Sequence, residues 1–343
     1  MSVKLMKAML LQAPSDLVQT TVDDLTVGAG EVLVEVTHSG VCGTDLKIFR
    51  GDIPVQYPRV MGHEMIGKVV TAPTATGLAI GSRVVINPVL SCGQCFYCQA
   101  GQENLCPSGF LLGRDKNGGF ADHICVPAEA VFPLPSQISN DCAPLIQVMT
   151  TCHHAQNLSS INPGETVVVV GLGVSGLLHV QLAKARGASR VIGITGSPVR
   201  RSMAEKFGAD DTFSPDEDVT QEILNLTGGR GADLVIDCVG SMNTLRQAIE
   251  LARPGGRLLL FGIYTDEIAT LPFYQLYFKE LILTNARAAK AEDFPACIQL
   301  VVDGTIDLDS MISHVLPLVE LEQAIRMLDE RDEARMKVIL DHT

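Results

Sequence analysis

The feature that most restricts the fold is a glycine pattern between two apolar runs. From Thr166 the chain reads TVVVVGLGVSGLLHVQLAKARGASRVIGIT, in which Gly171, Gly173 and Gly176 form G-x-G-x-x-G. An apolar strand precedes the pattern, and we expect an amphipathic helix and then a second apolar strand after it. There the first glycine permits a tight turn, the second lets a pyrophosphate approach the backbone, and the third lets helix and strand pack closely. The sequence therefore predicts a dinucleotide-binding fold.

Later segments repeat this alternation of strands and helices. Strand-like runs occur at ADLVIDCVG and RLLLFGI, with the helical stretch SMNTLRQAIELAR between them. Such an order is typical of an α/β protein with a doubly wound parallel sheet. A chain of 343 residues is long for one compact core, so we expect two domains.

The residue at the end of the second strand bears on the choice between NAD and NADP. An NAD site usually has Asp or Glu there to accept hydrogen bonds from the ribose hydroxyls, whereas this chain has Thr195. Ser197 adds a hydroxyl, and Arg200 or Arg201 can pair with a 2'-phosphate because guanidinium suits that anion geometrically. We therefore favour NADP. The alternative is that both arginines belong to the solvated face of the next helix.

Charge and hydropathy exclude several classes of protein. The formal net charge is -13, and clustered Lys and Arg, which nucleic acids and anionic membranes require, are lacking. The start MSVKLMKAMLLQAPSD has too short an apolar run for a signal peptide. The longest apolar stretch contains the glycine pattern and does not suit a membrane span. We expect a cytoplasmic protein with neither nucleic-acid nor membrane partners.

Four cysteines fall within sixteen residues, SCGQCFYCQAGQENLC, and in a reducing compartment they suit a metal better than disulfides. Their C-x2-C-x2-C-x7-C spacing predicts a closed, structural zinc site, with an iron–sulfur cluster or free thiols as alternatives. The predicted ligands are Cys92, Cys95, Cys98 and Cys106. The further cysteines Cys125, Cys142, Cys238 and Cys297 are interpreted as buried apolar side chains.

A zinc ion held by four cysteines has no open coordination position, so the catalytic residues must lie elsewhere in the chain. Upstream, GVCGTDLKIFRGD supplies Cys42 and YPRVMGHEMIGKVV supplies His63 and Glu64. A thiolate, an imidazole and a carboxylate are zinc ligands that can leave a coordination position open. Taken alone, Cys42 and His63 are weak evidence of a metal site, and a buried cysteine and a hydrogen-bonded histidine would be the favoured interpretation.

Together these motifs mark a resemblance that extends over nearly the whole chain. CGTD at 42–45, GHE at 62–64, the four cysteines, GGFADHICVP from Gly118 and GLGVSG from Gly171 resemble the zinc-containing medium-chain dehydrogenases/reductases, the superfamily of zinc alcohol dehydrogenases. KELILTNARAAKAEDFPACIQLVVDGTIDL and the ending KVILD look most like the polyol, threonine and sugar-alcohol dehydrogenase branch.

The resemblance implies a GroES-like, mainly β catalytic domain at 1–151 and 289–343, and a Rossmann domain at 152–288. The active site would lie in the cleft between them. It also implies two zinc ions per chain, NADP or NAD as cofactor, and a homo-oligomer, a tetramer or a dimer.

Residue by residue, Cys42 and His63 match two catalytic zinc ligands, and Glu64 matches a glutamate that can join or leave the metal. The third ligand in this branch is usually a carboxylate, and LIQVMTTCHHA places Gln147 there. Gln is a neutral and weaker ligand, although some sugar dehydrogenases of the superfamily have it.

Thr44 matches the hydroxyl that bonds the substrate oxygen and relays its proton. Lys47 stands where relatives often have a proton-shuttling histidine, and it either contacts an anionic substrate or is simply exposed. The predicted cofactor contacts are Gly171, Gly173, Val174, Gly176, Thr195, Ser197, Arg200, Gly240, Gly262 and Arg287.

The expected activity is zinc-dependent interconversion of a secondary alcohol, of polyol or sugar-alcohol type, and its ketone with hydride transfer to or from NAD(P). Aldose 1-dehydrogenase and threonine-type activities of the same superfamily are alternatives. A zinc-free quinone or enoyl reductase is disfavoured by Cys42 and the GHE motif. An alternative that is not an enzyme is a non-catalytic relative of the superfamily, used for binding or regulation.

Overall fold

The computed structural model describes residues 5–23, 25–265, 270–330 and 334–343, which form two compact units. Unit 1 consists of Met1–Thr150, Lys290–Asp303 and Leu308–Thr343, and unit 2 consists of Thr151–Ala289 and Gly304–Asp307. The sequence analysis assigned 304–307 to the catalytic domain. The segment belongs to unit 2, where Asp307 exchanges two hydrogen bonds with the Gln181 side chain, at 2.7 and 3.1 Å.

The elements follow in chain order: β1 (Leu5–Ala13), β2 (Asp16–Asp23), β3 (Glu31–Gly40), α1 (Gly43–Arg50), β4 (Arg59–Val60), β5 (Glu64–Thr71), β6 (Arg83–Ile86), β7 (Val89–Leu90), α2 (Phe96–Gln99), β8 (Phe110–Leu111), β9 (His123–Pro127), β10 (Val131–Pro133), α3 (Leu145–Leu158), β11 (Thr166–Val170), α4 (Val174–Ala185), β12 (Arg190–Ile194), α5 (Pro198–Lys206), β13 (Asp211–Phe213), α6 (Val219–Leu226), β14 (Ala232–Asp237), α7 (Met242–Leu251), β15 (Ala252–Leu260), α8 (Phe273–Phe278), β16 (Ile282–Asn285), α9 (Asp293–Val302), β17 (Ile312–Pro317), α10 (Leu321–Met327) and β18 (Lys337–Asp341).

Unit 2 is built on a parallel sheet with the strand order β13-β12-β11-β14-β15-β16. This is a doubly wound order: strands are added towards one edge of the sheet from β11 to β13 and towards the other edge from β14 to β16. In such sheets ligands bind at the carboxyl ends of the strands, beside the point between β11 and β14 where the order reverses. All five residues of β11, TVVVV, are buried, as expected for a central parallel strand that is covered on both faces. The predicted α/β fold class is confirmed.

Helix α4 differs from the amphipathic helix that the sequence analysis expected. All residues from Gly176 to Ala183 are buried, including His179 and Gln181. Gln156 satisfies one ring nitrogen of His179 at 3.1 Å. Burial lowers the pKa of His179 to about 3, so this histidine is neutral. Because Gln181 bonds to Asp307, one ring nitrogen of His179 bonds to Gln156 and the ring is neutral, α4 can be buried on almost every side.

Unit 1 is mainly β structure. Its largest sheet has the order β10-β6-β5-β3-β18-β17, and β9 also pairs with β3. A second sheet has the order β2-β1-β4, and β7 and β8 form a short ribbon. The central strands of the largest sheet lead to the functional residues, because Gly40, the last residue of β3, lies opposite Glu64, the first residue of β5.

No helix among the residues described combines the length and the apolar character that a membrane-spanning helix needs.

Candidate functional site

Three of the predicted zinc ligands come together in unit 1. The ligand atoms of Cys42, His63 and Glu64 all lie within 4.8 Å of one another. Cys42 is the N-cap residue of α1, two residues beyond the end of β3. Since Gly40 at that end is paired with Glu64, the antiparallel pairing of β3 and β5 brings the thiol next to the His63–Glu64 pair.

Gly62 provides the backbone conformation that positions His63. Its φ of 93° lies in the left-handed region that glycine favours. A Cβ on Gly62 would lie 2.7 Å from the Phe120 ring, so a larger residue would be excluded by space as well as by conformation. The GHE motif is therefore required by the backbone and not only by the ligands.

A buried carboxylate that the sequence analysis did not single out supports two of these ligands. Asp45 is fully buried; its Oδ2 accepts the backbone N–H of Cys42 at 2.9 Å, and its Oδ1 lies 3.5 Å from Nδ1 of His63. Burial acts to lower the pKa of His63, but Asp45 and Cys42 together raise it well above 6.5. A carboxylate beside one ring nitrogen orients the other nitrogen for a metal. Asp45 is the last residue of the CGTD motif, and this motif is the sequence signal that could have identified it.

Glu64 forms a buried ion pair with a residue from the end of the chain. Nζ of Lys337, on β18, contacts Oε2 of Glu64, and the two side chains are 5% and 1% exposed. The ammonium balances a carboxylate that would otherwise be charged in a nonpolar interior. Lys337 lies in the KVILD ending, but no local sequence pattern predicted that it would pair with Glu64.

Gln147 lies in the first turn of α3 and is buried. The Thr150 hydroxyl donates to its backbone carbonyl at 2.6 Å, and a role of its side chain as zinc ligand stays a prediction. Thr44 is partly buried in the first turn of α1, and Lys47, three residues later, is exposed. Residues three apart lie on the same side of a helix.

The four-cysteine segment forms a second cluster. The Sγ atoms of Cys92, Cys95, Cys98 and Cys106 are within 4.8 Å of one another, and four of the six pairs measure 3.5 to 3.9 Å. A tetrahedral zinc with Zn–S bonds of about 2.3 Å requires S–S edges of about 3.8 Å. The spacing fits one ion, whereas a cluster of several irons would hold its cysteines farther apart.

The acid–base properties of these thiols also suit a cation. Backbone amides of Gln94 and Cys95 lower the pKa of Cys92 to about 6. The amide of Cys98 lowers the pKa of Cys95, but desolvation and the neighbouring thiols outweigh it and raise that pKa to about 11. Hydrogen bonds therefore favour the thiolate at Cys92, while Cys95 keeps its proton, and a bound dication would take the place of such protons.

In unit 2 the glycine pattern lies between β11 and α4, as predicted. A Cβ on Gly176 would lie 1.9 Å from the carbonyl oxygen of Gly171, so strand and helix approach more closely than any other residue would permit. Gly173 is the N-cap of α4 and has no side-chain cap, and a Cβ on it would meet nothing within 4 Å. Val174 is the first residue of the helix. The first amides of a helix have no partner within it, and the open space at Gly173 leaves room there for a phosphate group.

The end of β12 has hydroxyls and a guanidinium, but no carboxylate at position 195. Ser197 caps α5 by accepting the amide of Arg200 at 3.4 Å. Nη1 of Arg201 donates to the Thr195 carbonyl at 2.8 Å, so Arg201 holds the loop and does not simply face solvent. Nε of Arg200 is buried without a hydrogen-bond partner among the residues described.

The carboxyl ends of β14 and β15 meet around Asp237, which the sequence analysis missed. Its Oδ1 accepts the amides of Val239 and Gly240 at 2.8 and 3.3 Å, and its carbonyl accepts that of Gly262 at 2.8 Å. The Tyr264 hydroxyl also donates to the carboxylate. The predicted cofactor residues Gly240 and Gly262 are thereby fixed against each other.

Arg287, the last predicted cofactor residue, is exposed just after β16. Its contact with the cofactor stays a prediction.

Comparison with known proteins agrees with this arrangement. Residues 28–136 match the alcohol dehydrogenase GroES-like domain, and residues 173–303 match the zinc-binding dehydrogenase domain. A sorbitol dehydrogenase of Halalkalibacterium halodurans is 31% identical over 92% of this chain and 92% of its own length.

Two solved structures share the whole fold. A zinc-binding dehydrogenase of Sinorhizobium meliloti, bound to NADP, has a TM-score of 0.91 at 32% identity and covers 98% of this chain and 99% of its own. An Escherichia coli alcohol dehydrogenase (rspB) in complex with NADH has a TM-score of 0.92 at 29% identity, with the same coverage. The chain therefore belongs to the zinc-binding alcohol dehydrogenases, in their polyol and sugar-alcohol branch, and is an NAD(P)-dependent oxidoreductase.

Proposed function

We propose that this protein interconverts a secondary hydroxyl group of a polyol or sugar alcohol and the corresponding ketone. The observation that supports this most is the Cys42–His63–Glu64 cluster, in which His63 and Glu64 are buried and Asp45 lies beside His63. The similarity to a sorbitol dehydrogenase over nine tenths of the chain points to the same substrate class.

The residues of the site have different roles in the proposed reaction. Cys42, His63 and either Glu64 or Gln147 would hold a zinc ion, which acts as a Lewis acid on the substrate oxygen and lowers the pKa of the alcohol. Asp45 keeps the His63 ring in place. Thr44 would bond the substrate hydroxyl and pass its proton on, and a bound NAD(P) would supply the hydride acceptor.

A substrate panel tests this proposal. Polyols, aldoses, hydroxy amino acids and simple secondary alcohols are compared by kcat/KM, each with NADP and NAD, from the absorbance of the reduced cofactor. We expect polyols or sugar alcohols to give the highest values. A higher value for aldoses or for threonine would assign the chain to one of the alternative activities.

NADP is the proposed cofactor. Position 195 lacks a carboxylate that would repel a 2'-phosphate, and the buried Nε of Arg200 has no hydrogen-bond partner in the part of the chain that the structure describes. A charge-assisted hydrogen bond contributes about 1.5–3 kcal/mol, or roughly tenfold or more in binding.

The ratio of kcat/KM for NADP and NAD tests the cofactor assignment. Thr195→Asp should reverse a preference for NADP, because the new carboxylate repels the phosphate and accepts from free ribose hydroxyls. Arg200→Ala should raise KM for NADP and leave KM for NAD nearly unchanged. Arg190→Ala removes a guanidinium at the other end of β12 and serves as control. A ratio that favours NAD in the unmodified protein would overturn the proposal.

The oligomer, predicted as a tetramer or a dimer, is proposed to involve a second copy docked at β16. Among the residues described this edge strand pairs only with β15. The apolar side chains around it are 59% to 78% exposed: Phe273, Tyr274, Tyr277, Phe278 and Ile282. An unpaired edge beside such a patch suits a self-complementary interface. Ile282→Lys should lower the mass in solution to that of a smaller species. An unchanged mass would place the interface elsewhere.

The cytoplasm is the proposed location, because four clustered thiols suit zinc only where they stay reduced.

A further inference from the structure

A buried carboxylate in unit 2, that of Asp237, connects two loops at the carboxyl edge of the parallel sheet. Asp237 is the last residue of β14 and is fully buried. Its Oδ1 accepts the amides of Val239 and Gly240, in the loop after β14. Its backbone carbonyl accepts the amides of Phe261 and Gly262 at 3.0 and 2.8 Å, in the loop after β15. One residue therefore sets the distance between the two loops.

The other oxygen of this carboxylate is bonded as well. Oδ2 accepts a hydrogen bond from the hydroxyl of Thr244 at 2.7 Å and another from the hydroxyl of Tyr264. Thr244 lies in the first turn of α7. Burial and the bond to Asp237 raise the pKa of Tyr264, so the phenol keeps its proton and remains a donor. These bonds compensate for the burial of the carboxylate and fix its position.

The two loops that Asp237 connects are in direct backbone contact. Gly240 has a φ of 77°, and a Cβ on it would lie 2.7 Å from the carbonyl carbon of Gly262. A Cβ on Gly262 would lie 2.2 Å from the amide nitrogen of Gly240. Neither loop can move towards the other, so the hydrogen bonds of Asp237 act on both loops together.

The loop after β14 also lies against the dinucleotide motif. The amide of Cys238 donates to the carbonyl of Val170, the last residue of β11, at 2.9 Å. A Cβ on Gly171, the next residue, would lie 2.5 Å from Cγ2 of Val239. A displacement of Val239 would therefore reach the first glycine of the motif. Cys238 is partly exposed, as is Cys125, so these two cysteines are not the buried side chains that the sequence analysis expected.

A second buried aspartate on β14 provides a comparison. Asp233 lies near the start of the strand, where its Oδ2 accepts the amide of Thr166 at 2.8 Å and its Oδ1 pairs with Nε of Arg253 at 2.6 Å. Ligands bind at the carboxyl ends of the strands in such sheets. Asp233 therefore stabilises the edge away from the ligand, whereas Asp237 lies at the edge that receives it.

We propose that Asp237 is a positioning residue for the nicotinamide cofactor. It fixes the predicted cofactor residues Gly240 and Gly262 relative to each other and, through Val239, relative to the glycine turn. A cofactor that meets loops already in place binds with a smaller loss of conformational entropy. Tyr264 supports the arrangement as a donor to the carboxylate. This inference depends on the NAD(P) dependence of the protein and not on its proposed substrate.

Calorimetric titration of the full, zinc-loaded chain with NADP and with NAD tests the proposal, with Asp233→Asn as the matched control. Asp237→Asn removes the charge and one acceptor oxygen, so we expect Kd for the cofactor to rise by about tenfold or more. Asp233→Asn should lower the melting temperature and leave that Kd nearly unchanged. An error in the choice between NADP and NAD would be seen in the unmodified protein. Equal weakening in both variants, or none in Asp237→Asn, would overturn the proposal.

Two milder variants separate positioning from direct contact. Tyr264→Phe and Thr244→Val each remove one donor to Oδ2 and should weaken cofactor binding several-fold. Hydrogen exchange of the amides in 238–263 should become faster in both, and KM for the cofactor should rise while kcat at saturating cofactor changes little. If Asp237→Asn does not fold, these two variants decide. Cofactor binding that is undiminished in both of them would then overturn the proposal.

Discussion

The two metal-ligand clusters of unit 1 differ in how the chain assembles them. The four cysteines come from one segment of fifteen residues, and three of them are partly exposed. Cys42 comes from one segment and the adjacent residues His63 and Glu64 come from another, and His63 and Glu64 are buried. The first cluster depends on a loop, whereas the second depends on the pairing of β3 with β5.

Their surroundings differ as well. Backbone amides approach the thiols of the four-cysteine cluster, while side chains support the buried one, through Asp45 and Lys337. Supporting side chains tune a metal and its ligands. On this comparison we propose that the four-cysteine cluster has a structural role and that the Cys42–His63–Glu64 cluster performs the chemistry.

Loss of one ligand from each cluster gives the largest expected contrast. Cys42→Ser should remove one zinc per chain and lower kcat/KM by about a thousandfold or more, because the Lewis acid is lost. Cys95→Ser, the matched control, should lower the melting temperature and spare the kcat/KM of the protein that stays folded. Zinc content by mass spectrometry and steady-state kinetics check this. Two zinc ions retained in Cys42→Ser would refute the open-site assignment.

Removal of Lys337 tests whether the buried cluster needs its charge balance. Lys337→Met leaves Glu64 as an unpaired buried charge and should lower the free energy of unfolding by about 3–5 kcal/mol. Urea unfolding measures the change, and the double variant with Glu64→Gln should recover much of it. Arg326→Met breaks an exposed pair with Glu322 and should cost less than about 1 kcal/mol. Similar losses in both single variants would contradict this account.

Asp45→Asn should act on one cluster only. A neutral amide holds the His63 ring less firmly, so we expect zinc affinity or activity to fall by about 10–100-fold. Competition with a chelator measures the affinity, and the zinc of the four-cysteine cluster should stay unchanged. Asp329→Asn, at an exposed ion pair with Arg50, is the control. Equal metal loss from both clusters would point to general destabilisation.

Gln147→Glu should have the smallest effect, a tightening of the catalytic zinc by a few-fold. A carboxylate attracts the cation by its charge, whereas an amide offers only a dipole. Chelator competition again gives the affinity, with Gln147→Ala as the opposite change. If zinc affinity stays the same or falls in Gln147→Glu, Gln147 is not a ligand.

Several parts of the candidate site could be predicted because their signals are local. The glycine pattern needs only a strand, a turn and a helix, and the four cysteines lie on one loop. Cys42 and His63 were named from short motifs, although only the resemblance gave them a shared role. The residues that support the ligands were harder to predict from the sequence. Asp45 belongs to a known motif, but no pattern within the chain indicates which residues it contacts.

The sequence by itself determined the doubly wound α/β fold, the dinucleotide motif and a four-thiolate site, because each depends on spacing within a short stretch. The tertiary structure decided which distant groups meet. It paired Lys337 with Glu64, placed Asp45 beside His63, and brought the amide of Gly262 to the carbonyl of Asp237. Strand pairing fixes such contacts between residues up to hundreds of positions apart. Charges and hydrogen bonds depend on distance in space, which local sequence patterns do not contain.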